Sequence, residues 1–482
     1  MVLILINVAI KNTLKFYKRQ KAFKIECHLL FTDLNNKITP KIPIFNFKQI
    51  PFKNMKQKLT FIILLLILNF HLTAQKTRTD LTIGSPESVG ISTDLLKRID
   101  VHLKDHLDKK WIPGAVAMVA RKGKIVYSTN MGTSGINKQD MKVDDIFRLA
   151  SMTKPIVTTA VMMLVEDGKC LLEDPISKYI PEFKSPVVLK EVNAKDSTYT
   201  AEPSPSEITI RQLLSHTSGI GYGFTNTKVS GIIYGKAKIP DGANIENSTI
   251  GEKMKILAKQ PLLHAPGTKW TYGLGIDVAG YLVEILSGKT LSEFCEERIL
   301  KPLDMKDTHF FRPESEENRV VSVYTELNGN LLNAMAFPQA KNLYFPTRGA
   351  KSYFSGGSGM SGTAADYMKF MQMILNNGTL NGTRILGRKS IEAMSNNQIG
   401  DLSINANGTK FGLGFSVEVP QSSYRKLGSV GRLGWGGLYN TLFWIDPKEQ
   451  VVAVLMTQIY PSTHQKELYD KFENLVYQAI VD

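Results

Sequence analysis

Ser151 and Lys154 stand three residues apart in Phe147-Arg148-Leu149-Ala150-Ser151-Met152-Thr153-Lys154-Pro155, where helical patterning begins. At that spacing a helix puts hydroxyl and amine on one face, within reach of each other. The positive potential of a helix N-terminus favours an alkoxide-like oxygen, and it leaves the Ser151 N–H free to face an oxyanion. This is a nucleophile with its base beside it, the pair that acyl transfer through an acyl-serine requires. Ser-x-x-Lys alone is a weak signal. Ser423-Tyr424-Arg425-Lys426 matches it too, in a stretch without helical continuation, and is read as coincidence. A helix cap beside a solvated lysine would be the better account of Ser151 if the motif stood by itself.

Other chemistries are struck out by inspection. There is no HExxH, no GxxxxGK[ST], and no Ser with Gly at both −2 and +2. Gly357-Ser358-Gly359-Met360-Ser361-Gly362 matches GxGxxG, but no acidic residue closes a second strand about 20 residues on, so it reads as a Gly-rich turn before a helix. His102 and His106 stand at i, i+4 and could share a metal. Their neighbours Lys104, Asp105, Lys109 and Lys110 favour a solvated helix face instead. No metal or cofactor is expected. Of three cysteines, Cys170 and Cys295 lie in the main body, without CxxC spacing, and read as buried thiols rather than a bridge.

The elements that must position the pair come from a chain of 482 residues, 43% hydrophobic and 21% charged, which excludes a disordered or fibrous protein. The net charge of +15 invites a nucleic-acid reading. However, residues 1–74 hold twelve Lys/Arg against only Glu26 and Asp33, a net +10, so residues 75–482 carry just +5 without basic runs. That is no clustered basic face, and nucleic acid is set aside. Met55-Lys56-Gln57-Lys58, the apolar run Leu59–Leu68 and then Thr73-Ala74 have the layout of a secretory signal. The run is too short to span a bilayer comfortably, so no stable membrane insertion beyond that segment is expected. The reading is residues 1–54 as a spurious or unstructured extension, 55–74 as a signal peptide and 75–482 as one catalytic domain. The mature protein would begin near Gln75, exported to a bacterial periplasm or beyond.

Ala115–Ala120 and Ile125–Thr129, joined through Lys122-Gly123, form a hairpin signal. Helical patterns cover Leu96–Leu107, Thr153–Glu166, Ile276–Leu286, Ala364–Asn376 and 465–480; strands return at Phe411–Val419, Thr441–Ile445 and Gln450–Thr457. Strands at both ends with helices between them predict an α+β fold: an antiparallel sheet, built from the first and last segments and flanked by helices, with an inserted all-helical subdomain. The polar stretch 184–207 reads as a surface excursion.

The surroundings of Ser151 resemble the serine β-lactamase and D-alanyl-D-alanine peptidase superfamily, in its class C-like branch that contains the family VIII carboxylesterases. The likeness rests on Phe147-Arg148-Leu149-Ala150, Leu164–Gly168, Asp174–Tyr179, Leu213–Gly219 and Ser355–Gly359, and runs from about Gly90 to Phe472. It implies a second catalytic residue, a Tyr in Tyr-x-Asn after Pro-Gly. The match is Pro266-Gly267-Thr268-Lys269-Trp270-Thr271-Tyr272-Gly273-Leu274, with Tyr272 as general base and acid, aided by a cation such as Lys154. Tyr353 is a weaker rival, and an aromatic packing role for Tyr272 stays open. The family's Asn, which helps bind a substrate amide, is Leu274 here.

The third element, usually Lys-Thr-Gly or His-x-Gly on an edge strand, is matched by Trp435-Gly436-Gly437. By the same resemblance the N–H of Leu438 completes an oxyanion hole with that of Ser151. Trp435 replaces a cation that would hold a carboxylate; this form looks like that of the family's esterases, although a buried Trp beside a turn would look the same. The implied activity is a secreted serine hydrolase of small esters. The alternatives are amide hydrolysis as a β-lactamase or D-amino-acid peptidase, with Arg432 recovering the carboxylate site, and a non-catalytic cell-wall binding protein.

Overall fold

The computed structural model describes residues 80–135, 139–337 and 340–482. The expectations for residues 1–74 lie outside them. Eight strands form the main sheet: β1 (Thr82–Ile83), β2 (Gly114–Arg121), β3 (Lys124–Gly132), β4 (Lys410–Phe411), β5 (Ser416–Val417), β6 (Leu433–Gly437), β7 (Thr441–Asp446) and β8 (Val451–Met456). Their order is β1-β3-β2-β8-β7-β6-β5-β4. β1 joins β3 in parallel, and the other pairings are antiparallel. The β2–β8 ladder, from Val451 opposite Arg121 to Met456 opposite Val116, ties the first hairpin to the end of the chain. The first and last segments therefore share one sheet, as the patterning predicts.

Period-two alternation assigns each strand residue to one of two cores. In β2, Val116, Met118 and Ala120 face one core, while Ala115, Ala117 and Val119 face the other. The second core is closed by helices α1 (Thr93–Asp108) and α5 (Gln465–Gln478), through Leu96, Ile99, Leu103, Leu468, Phe472 and Val476. Each such side chain contributes about 1.5–3 kcal/mol when fully buried. The first core is covered by α2 (Thr153–Glu166), α3 (Gly275–Ser287) and α4 (Ala364–Leu375), the helical middle of the chain. Because β2 is covered on both faces it reads as a continuous apolar run, and all eight of its residues are buried.

Three departures have physical reasons. The predicted strand Phe411–Val419 is two short strands, β4 and β5, hairpinned through Gly414 at φ +82, whose backbone lies against Thr158 and Pro155 of α2. The polar stretch 184–207 is at the surface but ordered, as an exposed hairpin of Val187–Asn193 and Thr198–Pro203. His102 and His106 are not solvated. They continue the i, i+3, i+4, i+7 stripe of Ile99 and Leu103, and α5 buries them, with His102 Nε2 3.2 Å from Leu468 O and His106 Nδ1 3.0 Å from His102 O. Cys170 and Cys295 are free and buried. Among the described residues no helix is long and apolar enough to cross a membrane.

Candidate active site

The chain reaches Ser151 through a clamped segment. Phe147–Arg148 pairs antiparallel with Ser361–Gly362, and the buried Arg148 guanidinium donates to the carbonyls of Phe345 (2.7 Å), Val321 (2.6 Å) and Leu343. Next, Ala150 is held at φ +45, in the left-handed region that a side chain disfavours by about 1–3 kcal/mol. Ser151 lies in the 3₁₀ turn Ala150–Met152, which runs straight into α2. Tyr367 OH donates to Met152 O at 2.9 Å, and Met360 N donates to Thr153 Oγ1 at 3.1 Å, pinning the turn from behind. The capping role is absent, for neither the 3₁₀ turn nor α2 has a side-chain N-cap bond.

Lys154 is fully buried and donates to Ser151 Oγ at 3.1 Å and to Gly357 O at 2.7 Å. The phenol of Tyr272 donates to Ser151 Oγ at 2.6 Å, and the indole N–H of Trp435 donates to Tyr272 OH at 3.3 Å. Lys154 Nζ lies 4.7 Å from the ring centroid of Tyr272 and 5.2 Å from that of Tyr222. Around Tyr272 pack His216 at 4.8 Å, Tyr222 at 5.3 Å and Trp435 at 5.4 Å between centroids. Burial first, and the charge of Lys154 second, push His216 well below the usual imidazole range, so it is a neutral wall. The rival Tyr353 is buried behind the site and does not line the cleft. The Ser151 and Tyr272 oxygens are therefore joined by one short contact, with the Lys154 side chain against Ser151 Oγ and over the Tyr272 ring.

β6 supplies the opposite wall. A Cβ on Gly437 would lie 2.5 Å from Leu149 O and 2.3 Å from Thr441 Oγ1, so only glycine lets this strand approach the turn that carries Ser151. Leu438 follows and lines the cleft with Trp435, Gly436, Gly437, Ser151 and Tyr272. The cleft encloses about 1360 Å³. Tyr222, Phe224, Ile239 and Phe345 make an apolar part of its lining, and Glu418, Arg425, Lys426 and Asp470 a charged part.

Two sequence expectations change, and a third stands. Leu274 is fully buried, N-terminal to α3, and does not line the cleft. Its side chain packs in the core because α3 must seat its apolar face, so this position offers substrate nothing. Arg432 is committed to Glu473 through bonds of 3.0 and 2.8 Å, both residues being buried, and is no free carboxylate anchor. Ser423 and Lys426 form no reactive pair, since Lys426 turns to the Glu473 carboxylate at 3.3 and 3.2 Å.

Sequence reasoning missed the residues behind Lys154. Ser358 N donates to Ser355 Oγ at 3.2 Å, and Ser355 Oγ donates to Asp277 Oδ1 at 2.6 Å. Asp277 is fully buried in the first turn of α3, five residues after Tyr272. Desolvation raises its pKa, against the opposing pull of the Ser355 hydroxyl and the Lys154 charge. A lone acid among Ile276, Val278 and Ala279 was the available signal.

A family model for beta-lactamase matches residues 99–477. Esterase EstB of Burkholderia gladioli is 30% identical over 393 residues, covering 78% of this chain and 94% of that protein. Lovastatin esterase of Penicillium rubens is 32% identical over 289 residues, 58% of this chain and 68% of that one. Among solved structures, EstCE1, described as a hydrolase with promiscuous acyltransferase activity, superposes with a TM-score of 0.67 at 25% identity, over 80% of this chain and 98% of its own.

Proposed function

The chain belongs to the beta-lactamase family and is a serine hydrolase; from that premise we propose that it cleaves carboxylic esters through an acyl-Ser151 intermediate. The observation that carries this is Ser151 Oγ held between Tyr272 OH at 2.6 Å and Lys154 Nζ at 3.1 Å, facing the cleft. In the reacting form Tyr272 is the phenolate, its charge offset by the Lys154 side chain; as Ser151 Oγ attacks the ester carbon, its proton moves to that phenolate oxygen and leaves a neutral phenol. The carbonyl oxygen takes on the negative charge opposite the N–H groups of Ser151 and Leu438. Tyr272 then returns the proton to the departing alkoxide, and water repeats the sequence on the acyl-enzyme.

Preference for esters over lactams and D-Ala-D-Ala peptides is supported by how many of the cleft's cations are already paired. Both amide classes bring a carboxylate that needs a cation. Arg432 and Lys426 are taken by Glu473, Lys466 pairs with Asp470, and the Trp435 N–H is given to Tyr272. An unpaired polar group costs on the order of 1–3 kcal/mol, and a carboxylate more. The names of EstB and lovastatin esterase support the same reading. A panel of p-nitrophenyl acetate and butyrate, nitrocefin and D-Ala-D-Ala peptides tests it. The esters are expected to exceed nitrocefin in kcat/KM by at least about 100-fold, roughly 2.7 kcal/mol in the barrier. Equal efficiency on nitrocefin would overturn it and direct attention to Arg425, a cleft cation whose side-chain partners, Asn407 and Tyr424, are neutral.

We also infer export, from the basic and then apolar layout of Met55–Ala74. Protein recovered from outside a bacterial cytoplasm is expected to start near Gln75, and N-terminal sequencing that found residues 1–54 retained there would refute it.

A further inference from the structure

Lys154, two backbone groups, Ser355 and Asp277 form a single chain of hydrogen bonds that all point one way. Lys154 Nζ donates to Gly357 O at 2.7 Å; the same peptide unit donates through Ser358 N to Ser355 Oγ at 3.2 Å; and Ser355 Oγ donates to Asp277 Oδ1 at 2.6 Å. One end is an ammonium, the other a carboxylate, and Lys154, Ser355 and Asp277 are each fully buried. In a chain of this polarity each bond polarises the next, and in a low dielectric the terminal charges reinforce it. Gly357 is where the elements converge: a Cβ there would fall 2.4 Å from Asp277 Oδ2 and 2.7 Å from Tyr222 OH.

We propose that Asp277 is a positioning residue for the reaction, its carboxylate fixing the Lys154 ammonium against Ser151 and Tyr272 through Ser355 and the Gly357–Ser358 peptide. The inference rests on Ser151 being the nucleophile. Tyr272 and Asp277 belong to one continuous segment, the loop into α3 and its first turn, so the acid–base group and the counter-charge of its neighbouring cation move together. The groups facing Lys154 are the rings of Tyr222 and Tyr272 and the neutral His216. Those facing Asp277 are Ser355, Tyr222 and Tyr353, with Asp241 beyond them, its carboxylate held by the N–H groups of Gly223 and Phe224. Lys154 is the cation that offsets the Asp277 charge. With Lys154 so held by Gly357 O and Ser151 Oγ, Tyr272 is the proton acceptor for Ser151.

Asp277→Asn separates charge from geometry, since an Asn oxygen still accepts from Ser355. Its kcat on p-nitrophenyl butyrate is expected to fall about 10- to 100-fold with KM nearly unchanged. Its rate profile is expected to move toward lower pH, because a buried negative charge has been removed from the site. Ser355→Ala keeps the charge and cuts the chain; a loss in kcat in the same direction is expected there, and it decides the matter should Asp277→Asn fail to fold. A folded variant of either kind with wild-type kcat and pH profile, or with a loss confined to KM, overturns the proposal. Labelling of the wild-type enzyme with a fluorophosphonate separates the two levels. An unlabelled Ser151 refutes the serine nucleophile itself, whereas a labelled wild type beside an unimpaired Asp277→Asn refutes only the relay.

Discussion

Replacing Trp435 with Phe distinguishes two roles for the residue that faces Ser151 from β6. As a stand-in for a substrate-binding cation, Trp435 would touch the substrate, and its loss would raise KM. The structure gives its N–H a different partner, Tyr272 OH at 3.3 Å, and its ring lies edge-to-face on Phe411 at 5.2 Å. Phe keeps most of that packing and deletes only the donor. A hydrogen bond to a neutral phenol is worth about 0.5–1.5 kcal/mol net, and one to a charged oxygen about 1.5–3 kcal/mol. Only the difference, about 1–1.5 kcal/mol, bears on the rate, since it sets how readily Tyr272 gives the phenolate that accepts the Ser151 proton. The expectation is therefore a fall in kcat of roughly 5- to 15-fold with KM within about twofold. Steady-state kinetics on p-nitrophenyl butyrate, with a melting curve to confirm folding, provides the assay. A raised KM at unchanged kcat would refute the reasoning and return Trp435 to the substrate.

Two further outcomes follow from the geometry. Ser151→Ala should abolish turnover by about a thousandfold or more. It should leave stability within about 1 kcal/mol, because Lys154 keeps Gly357 O and Tyr272 keeps the Trp435 N–H. Ser423→Ala, away from the reacting groups, should be silent, and equal losses in both variants would contradict the assignment. Burial, with smaller contributions from His106 and Lys471, pushes His102 down to about 4. The fold therefore refuses a proton that the unfolded chain accepts. Stability is complete above about pH 6.5 and is lost as pH falls toward 4, on the order of 2–3 kcal/mol from this residue. Urea unfolding at pH 7 and 4.5 should show that loss shrinking in His102→Gln, and an unaltered pH dependence would count against it.

Much of the fold was legible because it depends on periodicity. The Lys122-Gly123 hairpin, the helix Thr153–Glu166 and the terminal strands are local patterns of apolar spacing and turn residues. Ser151, Lys154 and Tyr272 were equally legible, the first two by spacing within one helical turn and the third by the motif around it. Where local context misled, a distant element had decided the environment: α5 buries His102 and His106, and the core takes Leu274. What the chain could not disclose one-dimensionally is pairing between far-separated residues. Glu473 consumes Arg432 across 41 positions, Trp435 reaches Tyr272 across 163, and Gly357 O meets Lys154 across 203. A residue's type announces which bonds it can make, but in a buried site the partner that satisfies it is chosen by packing. Only the tertiary structure determines whether a cation is left for substrate or already spent on the protein.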